Sequence, residues 1–318
     1  MNKVSFIVPA RNEEEHIERC IESLIYQSYQ DSQVIVVNDG SVDKTGEILS
    51  KYKNIKVIQE SGIGPGSARN RGLRESKTEF VAFCDADCFL DKNWLTNVMK
   101  LFSTEVGAVG GRELLPEDES KFGKMVFNLF MTIGFSVEYL GSKKRVVEVS
   151  HLPTSNIVFK RSVLETLGGF NKNLWTGEDV DLSIRTRKAG YKLLQNPEAK
   201  AFSYKPPNFL SFLKMMKTYG SAQRKLIEIH GVTRKVQLVP YTVLFFLLTE
   251  FFGLLVRGLI LPLVILLSLL LGFLLFFLFK PKVSLTEKLS LFFLFVLGVG
   301  YWNFGFWLPL NSTSHRKA

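Results

Sequence analysis

Cysteine is scarce in this chain, with 3 among 318 residues, too few for the disulfide framework that staples small secreted domains. No secretory leader is legible, because in MNKVSFIVPARNEEE the apolar stretch is too short before charge begins. The N-terminal part is therefore expected to stay in the cytoplasm. A dinucleotide-binding unit carries its glycine fingerprint in the first strand-to-helix turn, and here that turn, VPARNEEEH, has no glycine. A Gly-Lys-Ser/Thr phosphate loop is missing throughout. Acidic residues are outnumbered 30 to 40, for a formal charge of +10. Part of that excess lies in the last 83 residues, which leaves the rest too weakly basic for a nucleic-acid binder. The balance suits a domain that lies against anionic lipid and handles phosphorylated substrates.

Charge is also missing from long runs near the C-terminus. Residues 258–279 and 289–310 carry none, and 236–256 carries only Glu250. A membrane-spanning helix needs about 20 mostly apolar residues, so three helices are expected at about 238–256, 259–279 and 289–310. The domain reading is a soluble part at 1–235, a membrane part at 236–310 and a polar tail at 311–318. With three spans, Arg234 and Lys235 share the inner side with Lys280, Lys282 and Lys288. Arg257, Arg316 and Lys317 then fall outside; a two-span arrangement would return the tail to the inner side.

The first hundred residues alternate. VSFIVPA (4–10), QVIVVND (33–39), NIKVIQE (54–60) and EFVAFCD (79–85) read as strands. Between the first two, Ile17, Cys20, Ile21, Leu24 and Ile25 repeat at the spacing of one helix face. DKTGEILSKY forms a second helix, and the Gly-rich turn SGIGPGSARNRGL opens a third. Near-continuous apolar strands alternating with helices imply an α/β fold, a parallel sheet covered on both faces. Ligands of such sheets bind beyond the C-terminal ends of the strands, where Pro9, Ala10, Arg11, Asp39, Asp85 and Asp87 fall. The stretch FCDADC admits three readings: a surface turn, a metal site of Cys84 and Cys88, or a carboxylate pair holding a cation. Residues two apart on a strand point the same way, which would turn Asp85 and Asp87 to one ion. A zinc site would need two more ligands nearby, so the cysteines read as small packing residues.

Five blocks in order resemble the family 2 inverting glycosyltransferases of GT-A fold: VSFIVPARNEEEHIERCIESLIYQ, VIVVNDGSVDKTGEI, GPGSARNRGL, FCDADC and SNIVFKRSVLETLGGFN with GEDVDLSIRTRKAGYKL. The resemblance covers residues 3 to about 195. It implies a GT-A nucleotide-sugar-binding sheet with helices on both faces, followed here by transmembrane helices. It also implies a hexosyltransferase using a UDP- or GDP-linked sugar. Pro9, Ala10, Arg11, Glu13, Asp39, Arg69, Asp85 and Asn156 would then bind the donor, Asp39 through the base and Arg69 through the diphosphate. Glu13 would fix the Arg11 loop or serve as a helix-entry carboxylate. Asp85 and Asp87 would hold Mg²⁺ or Mn²⁺, the cation that neutralises charge on the leaving diphosphate. Asp179 maps to the catalytic base, oriented by Glu178, with Asp181 as the alternative. A phosphate acceptor is already ionised and needs no base. His151 and Ser155 could also meet a substrate.

Processive relatives carry Gln-x-x-Arg-Trp, whereas YGSAQRKLIE has Gln223 beside Arg224 and no Trp. A single-sugar transferase acting on a polyprenyl phosphate or lipid-linked glycan is therefore expected. The alternatives are a processive polysaccharide synthase and a non-catalytic membrane module with the same fold. Two further segments, 122–141 and 208–220, are apolar for a surface. The second sets Phe209, Phe212, Leu213 and Met216 on one face, the pattern of a helix lying at a lipid interface.

Overall fold

The computed structural model of the protein describes residues 3–134, 145–257, 260–278 and 284–309. Expectations for the rest of segment 122–141, for Lys280 and Lys282, and for the tail at 311–318 lie outside these residues. The chain divides into two units, Met1–Glu119 with Ile133–Lys205, and Ser120–Thr132 with Pro206–Asn311.

The first unit is built on one mixed sheet. In chain order its strands are β1 (Val4–Ala10), β2 (Ser32–Asp39), β3 (Lys56–Glu60), β4 (Phe80–Phe83), β5 (Cys88–Leu90), β6 (Val106–Leu114), β7 (Val147–Glu148), β8 (Ile157–Lys160) and β9 (Lys192–Ser203). Side by side they run β3-β2-β1-β4-β8-β6-β9-β5, with β7 also on β9. The first four strands pair in parallel, as their apolar runs imply. From β8 onward most pairings are antiparallel, so only half of the sheet has the expected parallel form. Helices α1 (Ile17–Ile25), α2 (Thr45–Ser50), α3 (Pro65–Glu75), α4 (Trp94–Met99), α6 (Arg161–Leu167) and α7 (Glu178–Lys188) belong to this unit.

Strand alternation sorts the core. Phe6 and Val8 join Ile17, Ile21, Leu24 and Trp94 in one cluster, while Ile7 joins Leu73, Phe83, Phe170 and Leu182 in another. Each fully buried side chain of this size contributes about 1.5–3 kcal/mol, so the sheet is a rigid floor for its C-terminal rim. Cys20, Cys84 and Cys88 are free and buried in the first cluster, the packing role expected of the last two.

The second unit is helical: α5 (Lys121–Ile133), α8 (Phe209–His230), a 3-10 turn at Lys235–Leu238, α9 (Val239–Arg257), α10 (Ile260–Leu278) and α11 (Leu285–Trp307). Lys235–Gly253 and Leu285–Trp307 are long and apolar enough to cross a membrane. Only these two candidate spans occur among the described residues, against the three expected; the described apolar stretch of the middle helix, Leu263–Leu278, is shorter.

The boundary also differs from the expected 235/236, because α8 packs along α11. Phe212, Leu213 and Met216 are buried, and a Cβ on Gly298 of α11 would stand 3.0 Å from the Phe212 ring. The face expected to meet lipid is thus covered by protein. Two glycines permit the contact: a Cβ at Gly220 would fall 1.9 Å from the Trp302 carbonyl oxygen, and one at Gly305 1.9 Å from that of Lys217. Lys217 and Arg224 lie over the rings of Phe304 and Phe306, at 4.8 and 5.7 Å, so cation–π attraction adds to the packing.

Candidate active site

The ends of β1, β2 and β4 meet in a cleft of about 380 Å³, lined by Pro9, Ala10, Arg11, Glu13, Asp39, Pro65, Arg69, Asp85, Ala86, Asp87, Trp175, Thr176 and Glu178. Backbone exchange between two loops shapes one wall. Asn12, in the left-handed region at φ +56° that Asn tolerates, accepts from Val42 N–H at 2.9 Å. The Glu13 N–H donates to the buried Thr45 hydroxyl at 2.8 Å, and Lys44 N–H to Glu14 at 3.0 Å. The motifs ARNEEE and DGSVDKT therefore hold one another. The Glu13 carbonyl starts α1 by accepting from His16 and Ile17 N–H, and its side chain lines the cleft rather than pairing with Arg11.

Asp39 closes β2 and clamps the Gly-rich turn. Oδ1 accepts from the N–H groups of Gly62 (2.9 Å) and Ile63 (2.7 Å), and Oδ2 from Gly64 (2.8 Å). Gly64 has φ +90° and ψ 160°, a conformation open essentially to glycine alone. Its bare face is covered by Trp175, whose ring a Cβ would approach to 2.7 Å. Trp175 and Thr176 were not foreseen; the available signal was an aromatic residue directly ahead of the TGED block.

Asp85 and Asp87 line the cleft, but by a different route from the one expected. β4 ends at Phe83, and both aspartates lie in the turn to β5, which the Cys88 N–H closes on the Asp85 carbonyl at 3.0 Å. Strand alternation therefore does not align them. Crowding of acids is evident: burial, then Asp87 and Asp85, push the Glu13 carboxyl up to about 8, and burial and Asp85 raise Asp87. Such mutual repulsion is what a divalent cation relieves, so Asp87 and the second oxygen of Asp85 fit one.

Arg69 departs from its expected part. It is 4% exposed and spans two carboxylates, Asp85 at 2.5 Å and Glu178 at 2.6 Å. Arg11 instead packs against Gly62, makes no ion pair among the described residues, and keeps a buried Nε without a partner.

Glu178 opens α7 after Gly177. Burial lifts its carboxyl to about 7 against the pull of Arg69, with Asp179 adding to the rise. Burial also opposes ionisation of Asp179, but the hydrogen bond and charge of His151, at 3.1 Å, outweigh it and hold the group below the usual Asp value. Asp181 is elsewhere: it is 1% exposed and holds Arg185, which also reaches the carbonyls of Leu167 and Gly169. Asn156 is 1% exposed, bonds Gly111 N–H at 2.6 Å and does not line the cleft. Ser155 is buried too and also off that lining.

Comparison with known proteins identifies the family and the fold. Residues 5–168 match the model of glycosyl transferase family 2. Glycosyltransferase AglE of Haloferax volcanii is 31% identical over 60% of this chain and 63% of its own length. A Methanococcus voltae protein named as a dolichyl N-acetyl-alpha-D-glucosaminyl phosphate 3-beta-D-2,3-diacetamido-2,3-dideoxy-beta-D-glucuronosyltransferase is 23% identical over 78% of this chain and 81% of its own. The chain spans less than two thirds of the first curated relatives it matches, 63% of AglE and 51% of the probable glycosyltransferase YdaM of Bacillus subtilis. In fold, the mannosyltransferase PcManGT of Pyrobaculum calidifontis, solved with GDP-Man and Mn²⁺, covers 97% of this chain and 88% of its own at TM-score 0.65 and 18% identity. The sheet with its flanking helices is of the GT-A type, and by the match over residues 5–168 the chain belongs to glycosyl transferase family 2.

Proposed function

We propose that the protein is a membrane-bound inverting glycosyltransferase that moves one sugar from a UDP- or GDP-linked donor to a polyprenyl phosphate or lipid-linked glycan. The observation that carries this is that Asp85, Asp87 and Glu178 line one cleft, with Asp179 following Glu178 at the head of α7. The lipid-linked acceptor is supported by the Methanococcus relative, named for a dolichyl-linked acceptor and matched over most of both chains. Anchoring is supported by the two candidate spans, with the catalytic unit on the cytoplasmic side.

In this reading the donor lies over the rim of β1, β2 and β4. Asp39 keeps the Gly-rich turn in shape, with the base against it, and the unpaired Arg11 faces the diphosphate. Asp85 and Asp87 hold Mg²⁺ or Mn²⁺, which when bound neutralises charge on the departing diphosphate. An acceptor oxygen attacks the anomeric carbon as the bond to the diphosphate oxygen breaks, and the configuration inverts. Where the acceptor is a glycan hydroxyl, its proton passes to Asp179, kept ionised by His151. A lipid phosphate arrives ionised, and Asp179 then orients rather than accepts.

The test is nucleotide release by the purified full chain in detergent with Mn²⁺, across UDP- and GDP-sugars, with and without polyprenyl phosphate or a lipid-linked glycan. Release that rises with one lipid supports the reading and identifies donor and acceptor. Binding of neither nucleotide nor metal would favour the non-catalytic alternative.

A further inference from the structure

We propose that Arg69 is a positioning residue that couples metal occupancy on the donor side to the placement of the acid pair on the acceptor side. The inference rests on the reading of Asp85 and Asp87 as metal ligands. Asp85 comes from the β4–β5 turn and Glu178 from the first residue of α7, 93 positions later. One guanidinium holds both, Nη2 to Asp85 Oδ1 and Nη1 to Glu178 Oε1. The group is stacked near the Phe170 ring, 5.6 Å from its centroid, and lines the cleft with only 4% of its surface exposed.

Two consequences follow from that geometry. A guanidinium with both terminal nitrogens committed to carboxylates is poorly placed to receive a diphosphate, and the unpaired Arg11 takes that part. A cation drawn to Asp85 also competes with Arg69 for the same carboxylate, so its arrival shifts the balance of Arg69 toward Glu178. Glu178 precedes Asp179 on the helix, so the shift reaches the proposed base. Such coupling is reciprocal: a change at Glu178, which lies on the other side of Arg69 from the metal pair, must alter metal affinity. A lysine is a point charge without the planar fork and cannot hold both partners in this way.

The experiment titrates Mn²⁺ into the full chain in detergent, without donor or acceptor, and counts free metal by electron paramagnetic resonance. The proteins are wild type, E178Q, R69K and the double variant, each checked for a wild-type circular dichroism spectrum. E178Q frees Arg69 to bind Asp85 alone and should weaken Mn²⁺ binding about three- to tenfold. In the R69K background the same change should cost less than about twofold. An equal effect of E178Q in both backgrounds would be the through-space loss of one charge and would overturn the coupling. So would an additive cycle in which R69K weakens metal-free UDP or GDP binding, which would return Arg69 to the diphosphate. If wild type shows no saturable Mn²⁺ binding, the metal reading itself falls and takes the coupling with it.

Discussion

Replacing Asp39 tests whether this residue builds the donor site before it contacts anything. Its carboxylate receives three backbone N–H groups at 2.7–2.9 Å, and charge-assisted bonds of this kind contribute about 1.5–3 kcal/mol each. Two of the three are only partly buried, so water entering the open cleft would recover much of the loss in D39A. A net local cost of about 3 kcal/mol is a fair figure, and at about 1.4 kcal/mol per factor of ten it equals a hundredfold loss of protection. Hydrogen exchange of a peptide covering residues 61–66 reads this directly. D39N should be intermediate: its oxygen can still accept from Gly62 and Ile63, while its NH₂ confronts the Gly64 N–H. Nucleotide affinity should fall in the same order, wild type above D39N above D39A. Unchanged exchange in D39A alongside lost nucleotide binding would refute the reasoning and leave Asp39 as a ligand contact only.

Glu13 gives a pH signature. Its folded value near 8 lies above the ordinary 4.5, so the metal-free fold binds the extra proton, and this contribution to stability is full below about 4.5 and lost as pH rises through 8. Mn²⁺ should release that proton, bind more tightly at pH 8.5 than at pH 6, and lose this part of its pH dependence in E13Q; a slope unchanged by E13Q would count against it. D179N should remove most transfer to a glycan acceptor with little change in melting temperature, whereas D181N should cost about 1.5–3 kcal/mol by replacing the buried charged acceptor of Arg185 with a neutral amide. Equal stability of the two variants in thermal unfolding would contradict these assignments. G305A should destabilise the helical unit by about 2–3 kcal/mol, because its Cβ meets backbone rather than a movable side chain; wild-type unfolding in detergent would show that α8 and α11 are not in contact as described.

The legible parts share a physical cause. Strands β1, β2 and β4 are buried on both faces and read as apolar runs, whereas β3, at the sheet edge, buries only Ile58; the polar residues that end the runs mark the rim of the cleft. The antiparallel half is carried by weaker text: β6 is VGAVGGREL, with three glycines, and β8 is only IVFK. The acidic turn was found, but its form was not, because DAD reads alike as the last residues of a strand or as a turn. Arg69 lines the cleft. Its partners, 16 and 109 positions away, leave no periodic trace. The tie of His151 to Asp179, 28 positions long, is equally silent in the sequence. For α8, periodicity exposes an apolar face but is silent on what covers it, and lipid was the wrong cover.

The cover of α8 is made late. The last residue of α8 is His230 and α11 does not begin until Leu285, so at ~5–20 residues per second a ribosome delivers the start of α11 roughly 3–10 s after α8 is complete. During that interval Phe212, Leu213 and Met216 have no partner from α11. Newly made chains thus pass through a stage in which the α11-facing side of α8 is bare, and a protease or insertion machinery acting at that moment meets a sticky surface that α11 later covers.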